Sequence, residues 1–284
     1  MKNEVKSVKG MKGARSKVPQ NRGEIKKTGF SWRTVFWVLL LMVWVFVAVV
    51  APQFVVQLIM VAILGVERMS EPVWNGICYV LSYGLALALI LWVPSRLTVQ
   101  WNIKKKSKNS KLVKKSSGKK ELSVTKEELG FRELLTWTDI GLAPVAYVVA
   151  TLLAMGLTML FGVFPWFNAM EAQNTGFTVL MGGGERVIAF IVLVVLAPFV
   201  EEVIFRGWLY GKMRSRLSAP LSIILVSLLF GLLHFQWNVG VNVFALSVVL
   251  CVLREITGTI WAGILTHMLK NGIAFYLLYV VVLW

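Results

Sequence analysis

From Thr34 to Leu64 the chain passes without a single charged side chain. About 20 apolar residues are enough for a helix to cross the hydrocarbon of a bilayer, so this stretch belongs in or against a membrane. Six further apolar stretches follow, at about 73–93, 140–164, 187–210, 221–235, 239–253 and 259–283. The expected fold class is therefore all-α, a polytopic helical membrane protein with about seven transmembrane helices. Composition agrees: 57% of the residues are hydrophobic, 15% are charged, and the mean hydropathy is +0.71.

The net charge of +16 would suggest nucleic acid in a soluble protein. Its distribution argues otherwise, because 22 of the 30 Lys and Arg lie in residues 1–33 and 96–137. Both segments flank apolar runs, and neither interleaves aromatics with its lysines as a nucleic-acid surface would. They read as topology signals that keep the N-terminus cytoplasmic, and as contacts for anionic lipid. No nucleic-acid partner is expected. Cys78 and Cys251 both fall in apolar stretches, where they read as small core residues rather than a disulfide or metal framework. The long basic N-terminal region, with no small-x-small site after the first apolar run, argues against a cleavable signal peptide.

These signals divide the chain into a disordered basic tail (1–33), two membrane helices (34–95), a basic cytoplasmic loop (96–139) and five more helices (140–284). Glu127–Trp137, the last part of the basic loop, has an amphipathic pattern and is expected to form a helix on the membrane surface. Gly182-Gly183-Gly184 lacks the spacing and the preceding strand of a phosphate loop.

Chemistry enters with Glu201-Glu202-Val203-Ile204-Phe205-Arg206, which continues the apolar run 187–200. A charge in hydrocarbon costs about 2.5 to 3.5 kcal/mol even on the lenient insertion scale, so such residues are rare and usually functional. On a helix Glu202 and Arg206 are i and i+4 and can neutralise each other, while Glu201 points about 100° away. Two readings follow for the pair: a carboxylate free to act as a base, or two carboxylates that pin the helix to its neighbours. Both histidines of the chain, His234 and His267, also fall in apolar stretches. Glu201 and His234 lie 17 and 16 residues either side of Ser218, so an antiparallel pair of helices brings them to one depth. His267 and Asn271 share a helix face, as do Phe230 and His234.

There is no serine elbow, and the only Asp is Asp139, at a helix entry. What remains is carboxylate plus imidazole, a combination that suits activation of a water molecule. Glu201 and His234 would deprotonate it, and His267 and Asn271 would donate to an oxyanion. A second reading makes Glu201, His234 and His267 the three protein ligands of a zinc ion. Spacing leaves both open, and each predicts hydrolysis of a peptide-like bond in a water-accessible cavity.

Glu-Glu-x-x-x-Arg at 201–206, Phe-x-x-x-His at 230–234 and His-x-x-x-Asn at 267–271 resemble the three motifs of the CAAX-protease and bacteriocin-processing (CPBP, or Abi) family. The likeness covers about 187–275. It implies an intramembrane peptidase in which Glu201 and His234 activate water, Glu202 pairs with Arg206, and His267 with Asn271 completes the site. The expected substrate is a membrane-anchored peptide or protein, and the expected setting is a bacterial cell membrane. Bacteria lack prenylated proteins, so the prenylated substrate of eukaryotic relatives is not carried over. No cofactor is required on the adopted glutamate reading, with zinc as the alternative. The family also contains bacteriocin self-immunity proteins, which implies a non-proteolytic alternative. Lys270 departs from the pattern; it is open to pairing with Glu255 or to snorkelling toward the membrane surface.

Overall fold

The computed structural model describes residues 31–108, 124–173, 175–177 and 182–281. Most of the basic tail and much of the lysine-rich segment, with the anionic-lipid contacts expected of them, lie outside the described residues. Among those described there is no strand, and seven helices follow one another. They are α1 (Trp32–Leu64), α2 (Pro72–Lys108), α3 (Trp137–Phe161), α4 (Gly183–Arg214), α5 (Ala219–Leu232), α6 (Trp237–Thr257) and α7 (Trp261–Tyr279). Five of them are long and apolar enough to cross a membrane: α1, the Pro72–Val93 part of α2, α3, α4 and α6. The other two depart for visible reasons. At 14 residues α5 is only about 21 Å long. The 19 residues of α7 are interrupted by His267, Lys270 and Asn271.

Large apolar side chains such as Phe36, Leu40, Leu58, Val145, Leu152 and Met159 project outward from α1 and α3. Water would penalise such a surface, whereas lipid accepts it. The protein is a multi-pass membrane protein. Its core forms around α4, where every residue of Val203–Leu209 is buried. Val45 and Ala48 of α1, Tyr83, Ala86 and Ile90 of α2, and Val226 and Phe230 of α5 close on it. On the far side α3 packs along α6 and α7, and α5 pairs with α6.

Two stretches of α4, Ile191–Leu196 and Val203–Leu209, adopt the wide π-helical turn. Pro198 accounts for part of this. The amide of Ala197 bonds back five residues to the Val192 carbonyl, and the next amide in that register belongs to Pro198, which has no N–H. The Leu193 carbonyl is thus left for a partner from another helix.

Two sequence expectations are corrected here. Glu127–Trp137 is not an amphipathic helix: residues 126–130 form turns, Gly130 has φ +88°, and α3 begins at Trp137. The segment docks on the α6–α7 turn instead, the Gly130 carbonyl accepting from the Ile260 amide at 3.3 Å and the Glu133 carbonyl from Trp261 Nε1 at 2.8 Å. Gly207 permits the contact, because a Cβ there would lie 2.9 Å from the Leu129 carbonyl oxygen. The other correction concerns His234, which is not inside a helix. α5 ends at Leu232, and His234 sits in the turn before Phe235, whose φ is +52°. α2, for its part, continues beyond its apolar portion to Lys108, through residues that are mostly neutral or favourable in helices.

At the opposite end of the bundle from Gly258, the α3–α4 loop is tied down by polar side chains. Asn238 donates to the Glu171 carbonyl at 2.7 Å, Gln236 to that of Ala172 at 2.9 Å, and Tyr79 to that of Thr175 at 2.9 Å. Asn75 adds a bond to the Gly176 carbonyl at 2.8 Å, and the hydroxyls of Thr175 and Tyr279 bond each other.

Candidate active site

Glu202 and Arg206 are fully buried, and Arg206 Nη1 donates to Glu202 Oε1 at 2.7 Å. The i, i+4 pair read from the sequence is therefore present. Arg206 also lies 4.6 Å from the centroid of the Phe230 ring, a cation–π contact that helps to hold the guanidinium without water. The same Glu202 oxygen accepts from His267 Nδ1 at 3.0 Å. Gly263 on α7 allows the two helices this near, since a Cβ there would stand 3.1 Å from Glu202 Oε2. A buried chain thus runs Arg206, Glu202, His267. It fixes the imidazole and directs its Nε2 to within 3.8 Å of Glu201 Oε2.

Glu201 takes the other direction. Its side chain retains 18% of its accessible surface and projects into a cavity of ≈ 300 Å³ between α1, α2, α4, α5, α6 and α7. His234, His267, Lys270 and Asn271 border the same cavity. Tyr83 of α2 donates its hydroxyl to Glu201 Oε1 at 2.7 Å, leaving Oε2 toward His267. Gln53, Gln173, Thr175 and Gln236 make the lining polar. Water is a reasonable occupant of such a place, with several donors and acceptors in reach.

The orientation of His234 follows from the end of α5. There the Leu233 amide bonds to the Leu229 carbonyl and the His234 amide to that of Gly231, so the Phe230 carbonyl has no backbone amide of the last turn. His234 Nδ1 bonds to it at 2.9 Å. A carbonyl only accepts, so Nδ1 carries the proton and Nε2 of the neutral ring is the acceptor. The ring packs edge-on against Phe230, with centroids 5.2 Å apart. The side chain therefore caps a helix end and presents a proton acceptor to the cavity.

Asn271 donates to the Leu193 carbonyl at 2.8 Å, the group that the π turn and Pro198 leave without an amide. The two donors expected at an oxyanion, His267 and Asn271, thus each spend an N–H elsewhere, on Glu202 and on Leu193. Lys270 does not pair with Glu255. Arg214 holds that carboxylate at 3.0 Å and Tyr210 holds it at 2.7 Å. Glu255 precedes the Gly258 turn by three residues and Lys270 follows it by twelve, a difference in depth of about 13 Å. Among the described residues no three His, Cys, Asp or Glu side chains are gathered closely enough to hold a metal ion. Glu201, His234 and His267 border one cavity but do not form a ready three-ligand cage. Sequence reasoning missed Tyr83, Gln53, Gln173, Thr175 and Gln236. Of these, Tyr83 hydrogen-bonds to a motif residue, Glu201, and its one signal was a hydroxyl within an apolar stretch.

Residues 183–273 match the family model described as type II CAAX prenyl endopeptidase Rce1-like. The match is to a part of the chain, less than half of its 284 residues. The matched segment takes in α4 through most of α7 and all three motifs, and the family it resembles is one of proteases. Tyr83, on α2, reaches the site from outside it. No curated protein and no solved structure gives a significant match to the chain.

Proposed function

We propose that the protein is an intramembrane endopeptidase that hydrolyses a peptide bond of a membrane-anchored peptide or protein. The observation that carries the reading is the meeting of Glu201 and His234 on one polar cavity sunk among apolar helices. In this reading Glu201 and His234 Nε2 hold a water between two proton acceptors, and Glu201 removes its proton as the oxygen attacks the scissile carbonyl carbon. The carbonyl oxygen becomes an oxyanion. As it reverts to a carbonyl, the C–N bond breaks and the proton held by Glu201 passes to the leaving nitrogen, giving a carboxylic acid and an amine. The Arg206–Glu202–His267 chain keeps the imidazole facing the reacting atoms. Asn271 secures α7 to α4, and in this reading its second N–H would donate to the oxyanion.

This route uses no metal ion. The zinc alternative has no step assigned to it, since its three candidate ligands do not form a cage. Anionic lipid at residues 1–33 and 96–137 is proposed to hold the basic face against a cytoplasmic leaflet.

The test compares peptides released from membranes containing the intact protein, Glu201→Gln or His234→Ala, at equal expression. Either substitution is expected to lower release by about 10²–10⁴-fold while the protein still inserts. Full release in either variant removes the water-activation mechanism. Persistence of activity in phenanthroline removes the zinc alternative, and loss of activity that added zinc restores would revive it. A self-immunity or scaffold protein of the same fold would protect cells equally well as Glu201→Gln.

A further inference from the structure

Lys270 makes no ion pair among the described residues, and Glu201, on the same cavity, acts on it only at longer range. Among the described residues no carboxylate lies within 4.0 Å of its ammonium and no hydrogen-bond acceptor meets it. Arg206 has Glu202, Arg214 has Glu255, and Arg254 donates to the carbonyls of Arg206 and Gly258. An ammonium at membrane depth with no such partner is costly, and residues that bear that cost usually meet a charge during function. The side chain borders the cavity of Glu201 and His234. It also borders a second cavity of ≈ 450 Å³ with Tyr147, Thr151 and Asn242, which are neutral and cannot balance it. Glu201, the nearest candidate, is engaged by Tyr83 and faces His267.

We infer that Lys270 is the anchor for a carboxylate of the substrate, lying within about two residues of the bond that is cut. This rests on the peptidase reading above and deepens it. The spacing follows from the helix. Lys270 is three residues past His267, which puts their Cβ atoms about 5–6 Å apart on one face. An extended peptide covers about 3.3–3.6 Å per residue, so a carboxylate held at Lys270 is one or two residues from a carbonyl held at Glu201. A lipid phosphate would have to be drawn from the membrane surface to this depth, whereas a peptide brings its own carboxylate. That carboxylate has two sources, the free C-terminus or an Asp or Glu side chain.

The test is binding, so that it does not depend on turnover. Purified protein in dodecylmaltoside is titrated with fluorescent Leu-Ala peptides that differ only in carrying Glu or Gln near the end and a free or amidated C-terminus. Wild type and Glu201→Gln are expected to bind an anionic member about ten-fold or more tightly than the neutral one, the usual effect of a charged hydrogen bond. Which anionic member gains shows whether the terminus or the side chain is read. The preference is expected to fall below about two-fold in Lys270→Met and to survive in Lys270→Arg. Equal binding of neutral and anionic peptides by wild type overturns the proposal, as does a preference that persists in Lys270→Met. The wild-type comparison decides even if Lys270→Met fails to fold. A preference without any hydrolysis leaves the subsite standing and removes the peptidase reading; hydrolysis without a preference does the reverse.

Discussion

Glu201 and Glu202 are neighbours in sequence and have opposite surroundings, because one residue of helix rotates a side chain by about 100°. Glu202 is enclosed by Arg206 and His267, and Glu201 faces the cavity with Tyr83 on one oxygen. In the proposed mechanism the Tyr83 bond leaves a single oxygen of Glu201 for the water. Replacing Tyr83 with Phe keeps the ring stacked near Tyr79, whose centroid is 6.2 Å away, and removes only the hydroxyl. The expected result is a kcat lowered by about ten-fold with KM unchanged, since Tyr83 positions the base and does not hold substrate. A change in KM alone, or none in either constant, would show that the bond has no part in turnover. The motif residues were legible in the sequence because carboxylates and imidazoles stand out in apolar runs. Tyr83 was not, because a tyrosine in an apolar span also serves as a packing residue. The His267–Glu202 bond was not legible either, since helical spacing relates residues within one helix and does not say which groups meet across two.

Among the elements, α4 and α5 depart from regular helix where the site needs it. The π turns of α4 and the early end of α5 release the carbonyls of Leu193 and Phe230, and Asn271 and His234 take them. Both side chains are aimed by defects in neighbouring backbone. Hydropathy located all seven helices but not these defects, because a π turn leaves the apolar pattern almost unchanged. It also suggested a helix over 127–137, where the positive φ of Gly130 stops one. The short α5 is held by its closest crossing with α6. A Cβ on Gly231 would lie 2.8 Å from the Gly240 carbonyl oxygen, and a backbone atom cannot move aside as a flexible side chain can. Gly231→Ala is therefore expected to separate α5 from α6 and destabilise the protein by about 1–3 kcal/mol, read as a lower Tm of the purified protein. Because His234 is three residues further on, activity should fall more than stability does. An unchanged Tm would mean that the crossing is looser than its geometry indicates.

For the whole molecule, the two ends of the bundle are chemically unlike, and the cavity belongs more to one of them. The Gly258 end carries Lys212, Arg214, Arg216 and Arg254, and the chain's two lysine-rich segments precede helices that begin or end there. The other end carries the α3–α4 loop, whose Gln173 and Thr175 border the cavity together with Gln236. Lys and Arg next to short loops tend to stay cytoplasmic, so the basic end is expected to face the cytoplasm and the cavity's polar rim to face away from it. The two native cysteines are buried, so a cysteine placed on the surface can be labelled over a low background. In intact cells Gln173→Cys is expected to react with a membrane-impermeant maleimide, and Lys212→Cys only after the membrane is opened. The reverse pattern would turn the molecule over and put the cavity rim on the cytoplasmic side. That outcome would leave the arrangement of Glu201, His234 and His267 untouched, since it depends on packing among helices and not on which leaflet they enter from. It would change which substrates can arrive, from segments exported across the membrane to those anchored on its inner face.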